Sequence, residues 1–275
     1  MKTAHKIALA RTAYRAVNLA RSSIGLTDHC TVQRRGITFD LDLSQGVDFA
    51  LFLDRYERST QDALGRLVVP GSAVLDVGAN IGAMTLLLAK LVGPTGRVLA
   101  FEPTDYAFAK QQKNLSLNPN LADRVTSYHC FLSAEDDSDV PTDIYSAWPL
   151  TGGERLHTKH LGQPMPTAAA RSRKLDTVLR EAGVDRVQLV KLDVDGFEVD
   201  VLRGAPELLK TKPVFVMELA PYCLDEHGSS LDEMLSFFRE NGYSIHTETG
   251  RPLPQSSGEL LKIIGDGSSL NVVAS

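Results

Sequence analysis

Cysteine is scarce in this chain. Three occur, Cys30, Cys130 and Cys223, far apart and in no C-x-x-C pair, so neither a zinc site nor a disulfide framework is indicated. A reducing compartment is expected, and with it a cytoplasmic location. Positive charge is not in excess. The formal net charge is −5, so no global field draws the chain to nucleic acid, which is not expected as a partner. No apolar run approaches the length of a membrane span. There is no internal repeat and only one tryptophan, Trp148.

What is present is ordinary for a globular protein. With 275 residues, 43% of them hydrophobic and 23% charged, the chain can bury a full core as one domain plus an extension. The expected division is an N-terminal extension over 1–58 and a main domain over 59–275, interrupted by a long loop at 134–174.

The main domain is organised around Val74-Leu75-Asp76-Val77-Gly78-Ala79-Asn80-Ile81-Gly82. An apolar β-favouring run meets two closely spaced glycines, and Ala83 to Ala89 then reads as a helix. A strand, a tight glycine turn and a helix N-terminus form a nucleotide-binding corner. Glycine lets the backbone approach a ligand closely. An acidic residue is expected about 20 residues on, at the end of the second strand, to hold ribose hydroxyls. Glu102 stands there, after Arg97 to Phe101. The turn reads Asp-x-Gly-x-Asn-x-Gly, not G-x-G-x-x-G. Asp76 would put a carboxylate where a dinucleotide needs its pyrophosphate, and a carboxylate suits a ligand with a cationic head. This stretch resembles the first motif of the class I S-adenosylmethionine-dependent methyltransferases.

Residues 1–27 carry Lys2, Lys6, Arg11, Arg15 and Arg21 and no acid, with Ile7, Ala10, Tyr14 and Val17 at helical spacing. This predicts a helix that packs on the main domain or on a partner subunit, as in a homo-oligomer. A membrane-surface helix with peripheral membrane contact, or a transit peptide, is the other reading. No apolar core with a clear cleavage site is present, so a secretory signal is not expected. Two alternating runs around Arg34-Arg35-Gly36 predict a β-hairpin. A short helix is expected over 46–53, and Ser59 is a candidate N-cap for a helix over 60–67.

Strands and helices then alternate: strand 73–77, helix 81–91, strand 97–101, helix 105–117 and strand 124–130. After the loop come helix 175–182, strand 187–193, helix 197–209, strand 213–219, helix 230–241 and strand 243–247, with 270–274 as a last strand. The pattern predicts an α/β fold: a mostly parallel, Rossmann-like sheet with helices on both faces. Ligands bind such sheets at the carboxyl ends of the strands.

The loop over 134–174 holds Tyr145, Trp148, His157 and His160. A loop this long is usually functional or disordered. Aromatic and polar residues above strand ends suit a lid that contacts substrate. The plainer reading is that Tyr145 and Trp148 pin the loop and both histidines are solvated.

The second informative stretch is Val190-Lys191-Leu192-Asp193-Val194-Asp195-Gly196-Phe197-Glu198. Asp193 and Asp195 alternate, so they project to one side if the strand persists. The next strand ends in Glu218. These carboxylates could act as a base, hold substrate hydroxyls, or hold a divalent ion such as magnesium. One of them could instead cap the following helix. Lys191, inside an apolar strand, needs a carboxylate partner. It could orient Asp193 or take part in proton transfer.

The motifs occur in a telling order: Asp76 to Gly82, Phe101-Glu102-Pro103, Leu175-Asp176, Lys191 to Glu198 with Val201-Leu202-Arg203-Gly204-Ala205, and Glu218-Leu219. Together they resemble the FkbM family of S-adenosylmethionine-dependent methyltransferases over roughly Tyr56 to Tyr243. One departure is Asp195, where the family usually has Glu. The resemblance implies O-methylation of a sugar, glycan or glycolipid hydroxyl, or of a polyketide or other small alcohol. It implies that Asp76, Gly78, Ala79, Asn80, Gly82 and Glu102 bind S-adenosylmethionine. Tyr56 and Glu57 would lie near its methionine end with Asp193, and Cys130, Phe131 and Ser133 would flank adenine. An alcohol is a poor nucleophile at neutral pH, so a base or metal near Asp193, Asp195 or His160 is expected. Amine methylation often uses an Asn/Asp-Pro-Pro-aromatic turn, and the chain has no Pro-Pro. A methyltransferase-like domain that binds without turnover, and a dehydrogenase that binds NAD tightly, are the rival expectations.

Overall fold

The computed structural model describes residues 3–275, with side chains from residue 7. Lys2 and the side chain of Lys6 lie outside the described residues. The chain opens with helix α1 (Thr3–Ser22), hairpin β1 (His29–Arg34) and β2 (Ile37–Asp42), and helices α2 (Gly46–Phe52) and α3 (Arg58–Leu67). The hairpin turn is Arg35-Gly36, both at positive φ (51° and 77°), which gives the twist a two-residue connection needs. Helix α1 packs inward. Tyr14 is buried, meets Phe49 edge-on at 5.8 Å and donates its hydroxyl to Asp28 Oδ2 at 2.7 Å.

The α/β succession follows: β3 (Ala73–Val77), α4 (Ala83–Leu91), β4 (Arg97–Phe101), α5 (Asp105–Ser116), α6 (Pro119–Ala122) and β5 (Val125–Tyr128). Next come the short strands β6 (Cys130–Leu132), β7 (Asp143–Ala147), β8 (Gln163–Pro166) and β9 (Arg171–Arg173). The chain closes with α7 (Leu175–Glu181), β10 (Leu189–Leu192), α8 (Glu198–Arg203), α9 (Pro206–Lys210), β11 (Val214–Leu219), α10 (Pro221–Glu226), α11 (Leu231–Glu240), β12 (Ile245–Thr247), α12 (Ser257–Ile264) and β13 (Leu270–Ala274).

The seven-stranded sheet has the order β12-β13-β11-β10-β3-β4-β5. Strands β11, β10, β3, β4 and β5 pair in parallel, and β13 runs antiparallel between β11 and β12. The strand alternation is read directly in the cores. Val74, Val98, Leu189 and Val216 face one layer, with α4 and the N-terminal extension. Leu75, Leu99, Val190 and Phe215 face the other, with α7, α8 and α11. Each fully buried leucine or valine contributes about 1.5–3 kcal/mol, so both faces are covered at substantial gain. Among the described residues no helix is long and apolar enough to cross a membrane.

Several boundaries differ from expectation, each for a local reason. The strand expected to end at 130 stops at Tyr128, and Cys130–Leu132 turns away to pair with β9. The helix expected over 197–209 breaks at Gly204-Ala205, because Pro206 has no N–H and starts a new helix at its first turn. Glu57, not Ser59, holds the cap position of α3, in a left-handed conformation (φ 37°). Ser59 is inside the helix and donates its hydroxyl to Glu248. The interruption at 134–174 is folded. It carries the antiparallel pair β7–β8 and a strand, β9, that pairs parallel with β6.

A candidate active site at the strand ends

A cleft of about 1170 Å³, open mouth included, runs along the carboxyl ends of the sheet. The strand order arranges its chemistry from one end to the other. Glu218 on β11 comes first, then Lys191, Asp193 and Asp195 on and after β10, then Gly78 and Asn80 after β3. Glu102 after β4 follows, and Cys130, Phe131 and Leu132 after β5 form the apolar end. The topological switch lies between β3 and β10, where connections leave in opposite directions.

Glycine is required at the switch. Gly78 has φ +82°, and a Cβ there would stand 1.7 Å from the Asp193 carbonyl oxygen. Gly82 is likewise left-handed, at φ 84°, and caps α4. The backbone of the turn is held by the next strand, since Gly78 N and Ala79 N both donate to Phe101 O. Glu102 is buried and organises the same turn. Its Oε2 accepts the Asn80 N–H at 2.8 Å, and its Oε1 accepts the Thr104 N–H at 2.9 Å and hydroxyl at 2.6 Å. Burial raises its pKa, and the Thr104 and Asn80 bonds work against that shift.

Asp76 does not reach the cleft. Alternation along β3 points it into the layer shared with α4, opposite Lys191 in the β10 register. It is fully buried, with Oδ2 accepting from Thr85 Oγ1 at 2.6 Å and Oδ1 3.8 Å from Lys191 Nζ. Lys191 is 4% exposed. It donates to Gly78 O at 2.9 Å and lies 3.2 Å from Asp193 Oδ2. Burial works to lower its pKa, but Asp193, Asp76 and Glu57 outweigh that and raise it. Lys191 is therefore held as a cation within hydrogen-bond distance of Asp193. The expected part in proton transfer does not suit a group held so firmly in its charged form.

Strand β10 ends at Leu192, earlier than expected, and Asp195 turns to φ 52°. Asp193 and Asp195 both line the cleft nonetheless. Neither is the helix cap. The cap position of α8 is Phe197, with no side-chain cap bond, and Glu198 instead reaches back to hold the preceding loop, accepting the Val194 and Gly196 N–H groups with Oε1. Burial first, then the crowding of carboxylates, raises several pKa values here. Asp195 stands well above the usual range, Glu57 is raised to about 7, and Glu218 to about 8 despite a hydrogen bond from Ser269. Tyr56 is raised as well, by burial and then by Glu57. Among the described residues no group of three or more His, Cys, Asp or Glu side chains converges as a metal site. The expectation of a divalent ion on Asp193, Asp195 and Glu218 is not met by their geometry.

The folded interruption supplies part of the wall. Ile144, Ser146, Trp148 and His160 line the cleft. Tyr145 and His157 do not line it. They stand behind, with His157 stacked on His160 at 3.9 Å and paired with Glu226 at 2.9 Å. His160 is 5% exposed, and its Nδ1 accepts the Gly162 N–H at 3.1 Å. That bond assigns the proton to Nε2. Burial, then His157, lowers the His160 pKa to about 4. At neutral pH His160 is an N–H donor and not the base expected from the sequence. Ser133 also stands apart from the cleft. Its hydroxyl is 2.6 Å from that of Ser172 and 3.0 Å from that of Ser138.

Residues not expected from sequence complete the site: Val47 from α2, Tyr222 from α10 and Asn271 from β13. Tyr222 sits four residues after Glu218, a spacing that puts it one turn beyond the strand end. Val47 and Asn271 carry no local signal, since they come from opposite ends of the chain.

The family model described as "Methyltransferase FkbM domain" matches residues 76–245. Methyltransferase 1 of Beauveria bassiana is 33% identical over 150 residues, which are 48% of this chain and 58% of that protein. 2-O-methyltransferase NoeI of Sinorhizobium fredii is 28% identical, over 54% of this chain and 62% of its own length. 31-O-demethyl-FK506 methyltransferase FkbM of Streptomyces tacrolimicus is 27% identical, over 65% of this chain and 75% of its own. The chain thus spans about three fifths of the first two of these relatives. The family match runs from the aspartate before the glycine turn to the first residue of β12 and so contains the whole parallel sheet end: the chain belongs to the FkbM methyltransferase family.

Proposed function

We propose that this protein transfers a methyl group from S-adenosylmethionine to a hydroxyl of a sugar, a glycan or glycolipid, or a related natural product. The observation that carries the reading is the order of groups along the strand ends. Carboxylates of Glu57 and Asp193 suit an ammonium group, Glu102 suits ribose hydroxyls, and Phe131 with Leu132 suits a flat apolar base. Two relatives whose names specify O-methylation support the choice of oxygen as acceptor. The cofactor supplies a methyl group on a cationic sulfur, so the leaving group is already activated.

The chain's own residues then align the acceptor, exclude water and hold its proton. Trp148 and Tyr222 line the cleft and suit a sugar ring, and Glu218, which also lines it, suits the ring's hydroxyls. Asp193 is our candidate for the proton. Among Glu57, Asp193, Asp195 and Glu218 it is the one with a buried cation at hydrogen-bond distance, 3.2 Å away. A base of this kind adds about 10²–10⁴-fold to the rate.

The test is transfer of labelled methyl from S-adenosylmethionine to panels of free sugars, nucleotide sugars, glycolipids and polyketide alcohols, each with magnesium and with chelator. Label in a sugar-containing product supports the reading. Bound S-adenosylhomocysteine with no label in any panel would favour a domain that binds without turnover.

A further inference from the structure

The family match begins at residue 76, yet the acceptor end of the cleft is tied to the chain ahead of it. Gly46, the first residue of α2, donates its N–H to Trp148 O at 2.8 Å. Leu150 N donates to Ser44 O at 2.7 Å, and Gln45 and Pro149 form an isolated antiparallel bridge. Arg11 on α1 reaches across with Nη2 to Pro149 O at 3.2 Å. Three residues on each side are therefore laced together: 44–46 and 148–150. The contact is tight as well as hydrogen-bonded. A Cβ on Gly46 would lie 3.1 Å from both the Cβ and the carbonyl oxygen of Trp148. Val47, the next residue, lines the cleft itself, as do Tyr56 and Glu57 further along the extension. The indole Nε1 of Trp148 is buried without a hydrogen-bond partner, a donor with no task in the folded chain alone.

We propose that the N-terminal extension is a positioning element for the acceptor, in which Gly46 and Arg11 hold Trp148 as the fixed wall of the acceptor end. The inference rests on the methyl-transfer reading of the cleft. Gly46 and Arg11 act through Trp148 and are positioning residues. Glu102, Phe131 and Leu132 at the cofactor end are held by β4, β5 and β9 and not by residues 44–46 or 148–150, although Glu57 shares the extension and Asn80 donates its Nδ2 to Ser146 O at 3.3 Å. Disturbing the lacing therefore separates the two halves of the site.

Trp148 is the only tryptophan, so its fluorescence reports on this wall with no engineering. The experiment compares the full chain with Gly46→Val, and with Arg11→Ala as the milder change, by acrylamide quenching of Trp148 and by calorimetric titration with S-adenosylhomocysteine. Both variants are expected to bind S-adenosylhomocysteine as the parent does, while Trp148 becomes more accessible to quencher and its emission moves to the red. With the hydroxyl compound that takes label in the transfer assay, kcat/KM falls on the order of 100-fold in Gly46→Val. The loss should fall on the acceptor KM and leave the S-adenosylmethionine KM in place. Unchanged quenching in both variants would overturn the proposal. Loss of S-adenosylhomocysteine binding in step with the spectral change would overturn it too, since the extension would then be supporting the whole site. Failure of the parent itself to bind S-adenosylhomocysteine would instead count against the methyl-transfer reading.

Discussion

Gly78 and Asp193 meet backbone to backbone across the switch between β3 and β10. A methyl group on Gly78 would lie 1.7 Å from the Asp193 carbonyl oxygen, and the φ of +82° is one that side chains resist. The glycine turn and the catalytic-end loop are thus a single packed unit. Gly78→Ala is expected to lower stability and to abolish binding of S-adenosylhomocysteine, read by thermal unfolding and calorimetry. Parent-like binding in that variant would show that the two loops move independently.

Lys191 stands between Asp193 and Asp76 in the buried layer. Lys191→Met leaves these carboxylates without their cation, and breaking a buried pair in this way costs about 3–5 kcal/mol. The deficit should shrink as pH is lowered, because protonation removes the uncompensated charge. Urea unfolding at pH 5 and pH 8 measures both effects. A pH-independent deficit would mean that lost packing, not charge, is the cause.

Glu57 and Glu218 carry pKa values raised to about 7 and about 8 from an ordinary value of 4.5. The folded state therefore holds protons that the unfolded chain has released. Their contribution to stability is full below about pH 4.5 and is lost as pH rises through 7 and 8. Glu218→Gln should flatten the decline of stability between pH 6 and pH 8.5 in the ligand-free protein. An equal slope in parent and variant would place the shift elsewhere.

His160 is expected to act as a donor through Nε2. His160→Gln, which keeps a donor at similar reach, should retain more transfer activity than His160→Ala. The activity–pH profile should show no inflection near 6.5 from this residue. Nitrogen NMR of the ring should report the Nε2–H tautomer, and an Nδ1–H signal would contradict the assignment.

Asp193→Asn should lower methyl transfer by about 10²–10⁴-fold while S-adenosylhomocysteine binding persists through Glu57, Glu102 and the apolar end. Near-normal turnover would remove Asp193 as the proton acceptor.

Much of the fold was legible because its signals are local. The glycine turn, the apolar strands and the alternation of strands with helices all lie in short windows, and each recurs in the sheet. Asp76 shows where that reading fell short. The same period of two that was applied to Asp193 and Asp195 sends Asp76 into the helix layer, away from the cleft. The interruption at 134–174 gave no periodic signal because its strands are short, one of them carries Pro164 and Pro166, and they pair with each other or with β6 outside the main sheet. The acceptor wall was legible only at Trp148 and Glu218, which line the cleft as the sequence suggested. Val47, Tyr222 and Asn271 come from three other segments, and only tertiary packing brings them to Trp148. His160 was visible as a histidine, but its tautomer depends on the Gly162 N–H, which no pattern in the sequence announces.

In the proposed function the cleft takes S-adenosylmethionine, with Glu102 at its ribose position. Calorimetric titration of the full chain with S-adenosylhomocysteine, alone and against excess NAD, tests it most directly. One binding site is expected, with no displacement by NAD, and loss of binding in Glu102→Ala with the fold intact by circular dichroism. Tight NAD binding that displaces S-adenosylhomocysteine, or unaltered affinity in Glu102→Ala, would contradict it.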